Sequence, residues 1–170
     1  MNADFYILRL GENAKTIESL VSGLSNEQIN WKSAPEQWSI SHVVYHLWRT
    51  EEKDFRSRLE KTLRNPQEKW TPLLPQEMRL EQIGDENNLG KYLQNFLDER
   101  EKSITWLKTL ENPNLQNAHQ HQQTKLSAGD LLASWLAHDF LHVKQIVRLH
   151  YDYINFTAQP FETGYAGKWT

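Results

Sequence analysis

The sequence contains no cysteine in its 170 residues, which excludes disulfide bonds, thiolate metal ligands and cysteine nucleophiles. It has only 7 glycines, and this low number argues against a turn-rich β fold. No apolar run approaches the roughly 18 residues of a membrane-spanning helix. The first residues also lack the basic and apolar regions of a signal peptide. We therefore expect a cytoplasmic protein without a membrane partner.

An excess of charge of one sign is also lacking. The chain carries 19 basic and 22 acidic side chains, a formal net charge of −3. No electrostatic feature therefore predicts nucleic acid as a partner. The length is typical of one domain that can bury a single core. We predict one domain over residues 1–170.

Apolar residues recur at helical spacing in four segments. The predicted helices cover about residues 4–24, 40–63, 89–110 and 128–151, and an aromatic tail follows over residues 152–170. Ser25 and Gln28 predict a short helical turn before the second helix, and Ser127 and Asp130 predict a capping box at the start of the fourth. Because no segment predicts a strand, the sequence favours an all-α four-helix bundle.

The connecting segments are polar or contain proline. Residues 66–88 have no clear period, so we predict a long connection that allows the second and third helices to run parallel. Residues 114–125 are polar and predict a surface loop. In the tail, aromatic rings are costly to leave in water, so we expect them to pack against the bundle. These side chains are Phe156, Phe161, Tyr165 and Trp169.

Two His-x₃-His pairs are the most distinctive feature of the sequence, because residues four apart share one face of a helix. His138 and His142 belong to a row whose spacing predicts an inward-facing seam. The row is Leu131, Trp135, His138, His142, Gln145 and Leu149. In the other pair, His46 falls at the edge of the apolar arc of the second helix, and His42 falls further round.

Buried imidazoles need partners, since an unpaired buried polar group costs about 1–3 kcal/mol. A divalent cation would bind several at once, and imidazole is a good ligand for zinc, nickel, copper or iron. Catalytic zinc sites use three protein ligands and an open position. His46 and His42 are both candidates for the third ligand, and the periodicity favours His46. We expect the remaining histidines to lie at the surface: His119, His121 and His150.

Two signatures resemble those of the DinB/YfiT-like superfamily of metalloenzymes. The first is Trp38-Ser39 with His46 eight residues after the tryptophan. The second is His138-x₃-His142-x₂-Gln145 on the last helix. The resemblance extends from the first helix to the end of the fourth.

This resemblance implies a four-helix bundle with up-down-down-up connectivity. It maps the three metal-ligand histidines of the family onto His46, His138 and His142, whereas His42 matches no ligand. Family members bind divalent ions such as zinc or nickel, and many are homodimers. Their activities include S-transfer with low-molecular-weight thiols, a thiol-dependent isomerisation and hydrolysis.

Other residues near the predicted site have two interpretations each. Gln145 is a candidate contact for the adjacent histidine or for the substrate, with a core amide as the alternative. Glu51 lies within an apolar arc, where an ion pair is favoured over a role as general base. Asp139 lies off the seam, so a surface or interhelical salt bridge is favoured. Trp135 is expected to pack beside the site, and Trp38 to fix the start of the second helix.

The leading hypothesis is a metal-dependent S-transferase or hydrolase that acts on an electrophilic small molecule. The nucleophile would be a metal-bound water or a low-molecular-weight thiol, since a metal lowers the pKa of either. The first alternative is a metal-binding stress or interaction module without turnover. The second is a bundle whose histidines are structural.

Overall fold

The computed structural model describes residues 3–73, 88–167 and 169, and within them the fold is mostly helical, as predicted. The helices are α1 (Ala3–Val21), α2 (Asn26–Asn30), α3 (Ile40–Thr50), α4 (Arg56–Arg64), α5 (Leu89–Lys108) and α6 (Ala128–Thr157). The strands are β1 (Ala118–His121) and β2 (Thr124–Ser127). Residues 74–87, most of the predicted long connection, lie outside the described residues. In the described ranges, no helix combines the length and the apolarity needed to cross a membrane.

The helices pack side by side around two apolar clusters. α1 contacts α5 and α6, and α3 contacts the same two helices. One cluster surrounds Phe96 and Ile146, and the other surrounds Leu10 and Trp135. α5 and α6 contribute side chains to both clusters, whereas α3 contributes to the first.

The second predicted helix is observed as three consecutive helical segments. α3 continues into a π-helical turn over Glu51–Phe55 and then into α4. Such turns often occur at functional sites, and they change which side chains face inward. Here Glu51 is buried, and Phe55 packs against the cluster around Trp135.

The last long helix begins where the sequence predicts. The Ser127 hydroxyl accepts a hydrogen bond from the backbone N–H of Asp130, and the Asp130 carboxylate accepts one from the backbone N–H of Ser127. α6 ends at Thr157, six residues after the predicted end at 151. Its added turns are stabilised by Trp31, whose ring lies 5.7 Å from the rings of Tyr153 and Phe156.

The prediction of a surface loop over residues 114–125, and of a fold without strands, is wrong. β1 and β2 form an antiparallel hairpin, connected by Gln122 and Gln123. Gln122 has a φ of 52°, a conformation usually supplied by glycine or asparagine. The hairpin is stabilised instead by tertiary contacts: the His119 and His121 rings stack on Trp70 at 4.3 and 4.9 Å.

The predicted packing of the aromatic tail is correct for Trp169 and, in part, for Phe156, which contacts Trp31, and it is wrong for Phe161 and Tyr165. The Trp169 ring lies 5.3 Å from that of Tyr151. Phe161 is 77% exposed, Tyr165 is fully exposed and Phe156 is 56% exposed. The tail is tethered by polar contacts, such as the hydrogen bond from the Thr163 hydroxyl to Asn155 Oδ1. Such contacts hold the backbone without covering the Phe161 and Tyr165 rings.

Candidate metal centre

Three histidines from two helices converge on one point. His46 lies on α3, and His138 and His142 lie one turn apart on α6. The Nε2 atom of His138 is 3.2 Å from that of His46 and 3.1 Å from that of His142. Within the described ranges, this is the group of side chains whose ligand atoms are close enough to share a metal ion.

The spacing of the nitrogens fits a small divalent cation. Zinc with Zn–N distances of about 2.0–2.1 Å and tetrahedral angles holds its ligand nitrogens about 3.3 Å apart. The two Nε2 separations are close to this value. Three neutral imidazoles with converging nitrogens also cannot all satisfy one another by hydrogen bonds, because each neutral ring has one N–H. The donor set therefore fits zinc or a similar ion.

The electrostatic environment keeps the three rings neutral. Burial lowers the pKa of His46 to about 4, with His142 as a further cause. Burial also lowers the pKa of His138 to about 3, assisted by His142, His46 and Arg100. The pKa of His142 is lowered by burial as well, although Gln145 and Asp139 oppose the shift. Neutral rings keep the nitrogen lone pairs that a metal requires.

The sequence candidate Gln145 contacts His142 directly. Its Oε1 atom lies 2.9 Å from His142 Nδ1, so Nδ1 donates and the Nε2 lone pair points to the other two histidines. This is the usual way in which an outer residue fixes the tautomer of a metal-ligating histidine. His46 differs, since its buried Nδ1 has no hydrogen-bond partner among the residues that the structure describes.

Aromatic rings form two walls of the site. The Trp38 ring lies 5.0 Å from that of His46 and stacks parallel to that of His142 at 6.3 Å. Trp38 thus contacts the histidines themselves and does more than fix the start of a helix. On the other side, the Phe55 ring lies 5.0 Å from that of His138 and separates it from Trp135. The sequence predicts Phe55 in the apolar arc of the second helix but does not predict its contact with His138, which follows the π-helical turn.

A buried charge cluster lies directly beyond these walls. Arg100 donates to both oxygens of Glu51, each at 2.9 Å, and to both oxygens of Asp139, at 2.8 and 2.6 Å. Its remaining N–H donates to the Leu10 carbonyl at 2.9 Å, so all of its N–H groups are satisfied. Glu51 also accepts from Trp135 Nε1 at 2.8 Å. Both acidic residues are therefore ion-paired, and the pairing of Asp139 is interhelical.

The buried position of Arg100 was not predicted, although its place in an apolar row of α5 indicates it. Phe96, Arg100, Ser103 and Leu107 follow one another at spacings of four, three and four residues and are all buried. A charged residue within such an apolar row needs a buried partner. The acidic residue in the apolar arc of the second helix, Glu51, is one of its two partners.

The remaining histidines lie outside the group formed by His46, His138 and His142. His42 is buried and its Nδ1 lies 2.7 Å from the Ser39 hydroxyl. His119 and His121 lie on the hairpin against Trp70. The surface position predicted for His119 is wrong, because its Nδ1 donates to the Pro66 carbonyl and it is 8% exposed.

The prediction that His150 faces solvent is also wrong. The ring is half-buried. Its Nε2 donates to the Leu20 carbonyl at 2.8 Å, and its Nδ1 accepts from the Gln28 side chain at 3.0 Å. Both bonds tie α6 to the C-terminal end of α1 and to α2, which is a structural role.

A pocket of about 410 Å³ adjoins the site on the Gln145 side. Trp38 and Gln145, which both contact His142, line it. Lys144 and Arg148 line it from α6, and Trp169 from the tail. The Arg148 guanidinium is paired with Asp152 at 2.8 Å. The pocket therefore combines aromatic surface with Lys144 and the ion pair of Arg148 and Asp152, which also lines it.

Comparisons with known proteins identify the family and the fold. The family model of the DinB superfamily matches residues 9–146, which include all three histidines. Among solved structures, the chain is similar to YfiT from Bacillus subtilis, described as a probable metal-dependent hydrolase with an unusual four-helix bundle topology. The two share 17% identity with a TM-score of 0.75 over 88% of this chain and 86% of that one, which shows a common fold. No curated protein matches the chain in sequence. Because the family model spans well over half of the sequence, this chain belongs to the DinB superfamily.

Proposed function

We propose that this protein is a divalent-metal-dependent enzyme whose metal ligands are His46, His138 and His142. The observation that carries the proposal is the convergence of three neutral imidazoles, with Nε2 separations of 3.2 and 3.1 Å. Zinc or nickel is the proposed ion, because imidazole binds both well. The description of YfiT as metal-dependent supports the same assignment.

The residues around the proposed metal site orient its ligands and shield them from water. Gln145 holds His142 in the tautomer that exposes its Nε2 lone pair. Trp38 covers one side of the imidazoles and limits the access of water there. Three protein ligands leave one position open for a substrate or a solvent molecule. A bound divalent cation would acidify a water or a thiol and polarise a carbonyl group.

The proposed reaction is hydrolysis of an electrophilic small molecule or its attack by a thiol. Hydrolysis is supported by the description of YfiT. S-transfer with a low-molecular-weight thiol rests on the family resemblance. The pocket beside Gln145 is the proposed substrate site, since its volume of about 410 Å³ suits a small molecule. Lys144 would favour a substrate with an anionic group.

Metal analysis of untagged protein tests the proposal. We expect one zinc or nickel ion per chain in the wild type and no retained metal in His138→Ala. His121→Ala is the matched control, because it removes a half-buried histidine outside the cluster and should leave metal content unchanged. A wild type without stoichiometric metal would exclude the metal site.

Turnover separates an enzyme from a binding module. Metal-loaded protein is assayed against ester and amide panels, and against electrophiles with a small thiol. Hydrolysis without thiol identifies a hydrolase, and strict thiol dependence identifies a transferase. Metal binding without turnover in either panel would favour the stress or interaction module.

Four further features of the protein belong to the same proposal. We propose up-down-down-up connectivity, a single domain over residues 1–170, a homodimer and a cytoplasmic location. The connectivity and the dimer rest on the family resemblance, and the other two on the length and composition of the sequence. Light scattering would test the homodimer, and fractionation of cells that express the protein would test the cytoplasmic location.

A further inference from the structure

The buried cluster of Glu51, Arg100 and Asp139 carries an excess of negative charge. The exposed fractions of the three residues are 1%, 2% and 0%. Two carboxylates and one guanidinium give a formal net charge of −1. Burial lowers the pKa of Arg100, but the two carboxylates raise it more, so that the net shift is upward and the guanidinium stays charged.

The cluster lies close to the three histidines on both helices. Asp139 directly follows His138 on α6. Glu51 follows His46 by five residues, about 7.5 Å along the helix axis. The Trp135 side chain connects the two groups, since its Nε1 donates to Glu51 while its ring stacks on Phe55, which packs against His138.

Net charge within a protein core is costly unless an opposite charge compensates it. One arginine and one carboxylate would suffice for a neutral interhelical pair, yet the structure holds a second carboxylate. The histidines are neutral and bring no compensating charge. A divalent cation held by them would bring two positive charges to the neighbouring site, which would more than offset the single excess negative charge.

We propose, given the metal site of the proposed function, that the excess negative charge of the Glu51–Arg100–Asp139 cluster raises the affinity of the three-histidine site for divalent cations. Glu51 and Asp139 are positioning residues in this arrangement, because they act through their charge and do not touch the ion. Over roughly 10 Å, at an effective dielectric constant of about 20, one unit charge changes the affinity for a divalent ion more than ten-fold.

The test measures the dissociation constant for zinc by competition with a chromophoric chelator, on untagged full-length protein at about 0.1 M ionic strength. Glu51→Gln and Asp139→Asn each remove one charge at nearly constant shape. Glu52→Gln is the matched control, since Glu52 is adjacent in sequence but its side chain is 38% exposed and paired with Arg49. We expect at least ten-fold weaker zinc binding in the first two variants and a change within about two-fold in the control.

A second measurement separates charge from distortion of the site. Coulomb energy is proportional to the charge of the ion. The factor by which a variant weakens the binding of silver(I), added as nitrate, should therefore be about the square root of the factor for zinc. A distorted site would not follow this relation. If Glu51→Gln does not fold, Asp139→Asn carries the same test.

The outcomes distinguish the inference from the function on which it rests. Zinc affinity equal to wild type in both buried variants, with a lower unfolding midpoint, would overturn the inference and leave the metal site intact. Equal fold losses for zinc and silver would also overturn it. A wild type that binds no zinc would overturn the inference and the proposed function together.

Discussion

Acidification should destabilise the metal-free protein through the candidate site. In the unfolded chain, His46 and His138 take up protons near pH 6.5, whereas in the folded chain their pKa values are about 4 and about 3. Between these values the unfolded state binds more protons, so the free energy of unfolding falls as the pH is lowered. From about pH 7 to about pH 5, each histidine contributes a loss of about 2 kcal/mol, or about 4 kcal/mol together.

Urea unfolding of chelator-treated protein at several pH values in this range measures the effect. His138→Gln and His46→Gln should each reduce the loss on acidification by about 2 kcal/mol, and the double variant should reduce it by about 4 kcal/mol. Groups that titrate elsewhere in the chain contribute equally to all four proteins, so the differences isolate the cluster. An acid-induced loss in the double variant equal to that of the wild type would refute the burial of neutral imidazoles.

Three further predictions concern single side chains. Arg100→Met leaves two buried carboxylates without their partner and should lower the free energy of unfolding by about 3–5 kcal/mol. Arg9→Met, at an exposed pair, should cost under about 1 kcal/mol, and equal losses would contradict the burial argument. Gln145→Leu should weaken zinc binding about 10-fold or more in chelator competition, and wild-type affinity would exclude its orienting role for His142. Trp70→Leu should cost about 2–3 kcal/mol and speed amide exchange in β1 but not in α6; unchanged exchange would disprove its support of the hairpin.

Helices were predictable from the sequence because their apolar residues repeat over many turns. The capping box at Ser127 and Asp130 located the start of α6 to the residue. The end of α6 was not predictable, because its last turns depend on the distant Trp31. The hairpin was not predicted because it also depends on a distant residue. Its His119 and His121 rings pack on Trp70, about 50 residues earlier in the chain.

The candidate site was predictable where its residues follow helical spacing. The pair His138 and His142 lies on one seam, and the row itself contains Gln145. The buried position of Arg100 was not predicted, because a charged residue in an apolar row is usually assigned to solvent. The contact of Phe55 with His138 was not predicted, because a π-helical turn shifts the periodicity after Thr50. No sequence pattern predicts that shift.

One turn of α6 serves the metal site and the charge cluster on different faces. His138 and His142 are four residues apart and share a face, whereas Asp139 is about 100° round the helix and points to Arg100 and to Asn13 of α1. Adjacency in the sequence therefore does not make Asp139 the orienting partner of His138. The bond that fixes a ligand tautomer comes instead from Gln145, three residues after His142. A charge change at Asp139 should thus alter how strongly the site attracts a cation, whereas a change at Gln145 should alter which nitrogen His142 presents to it.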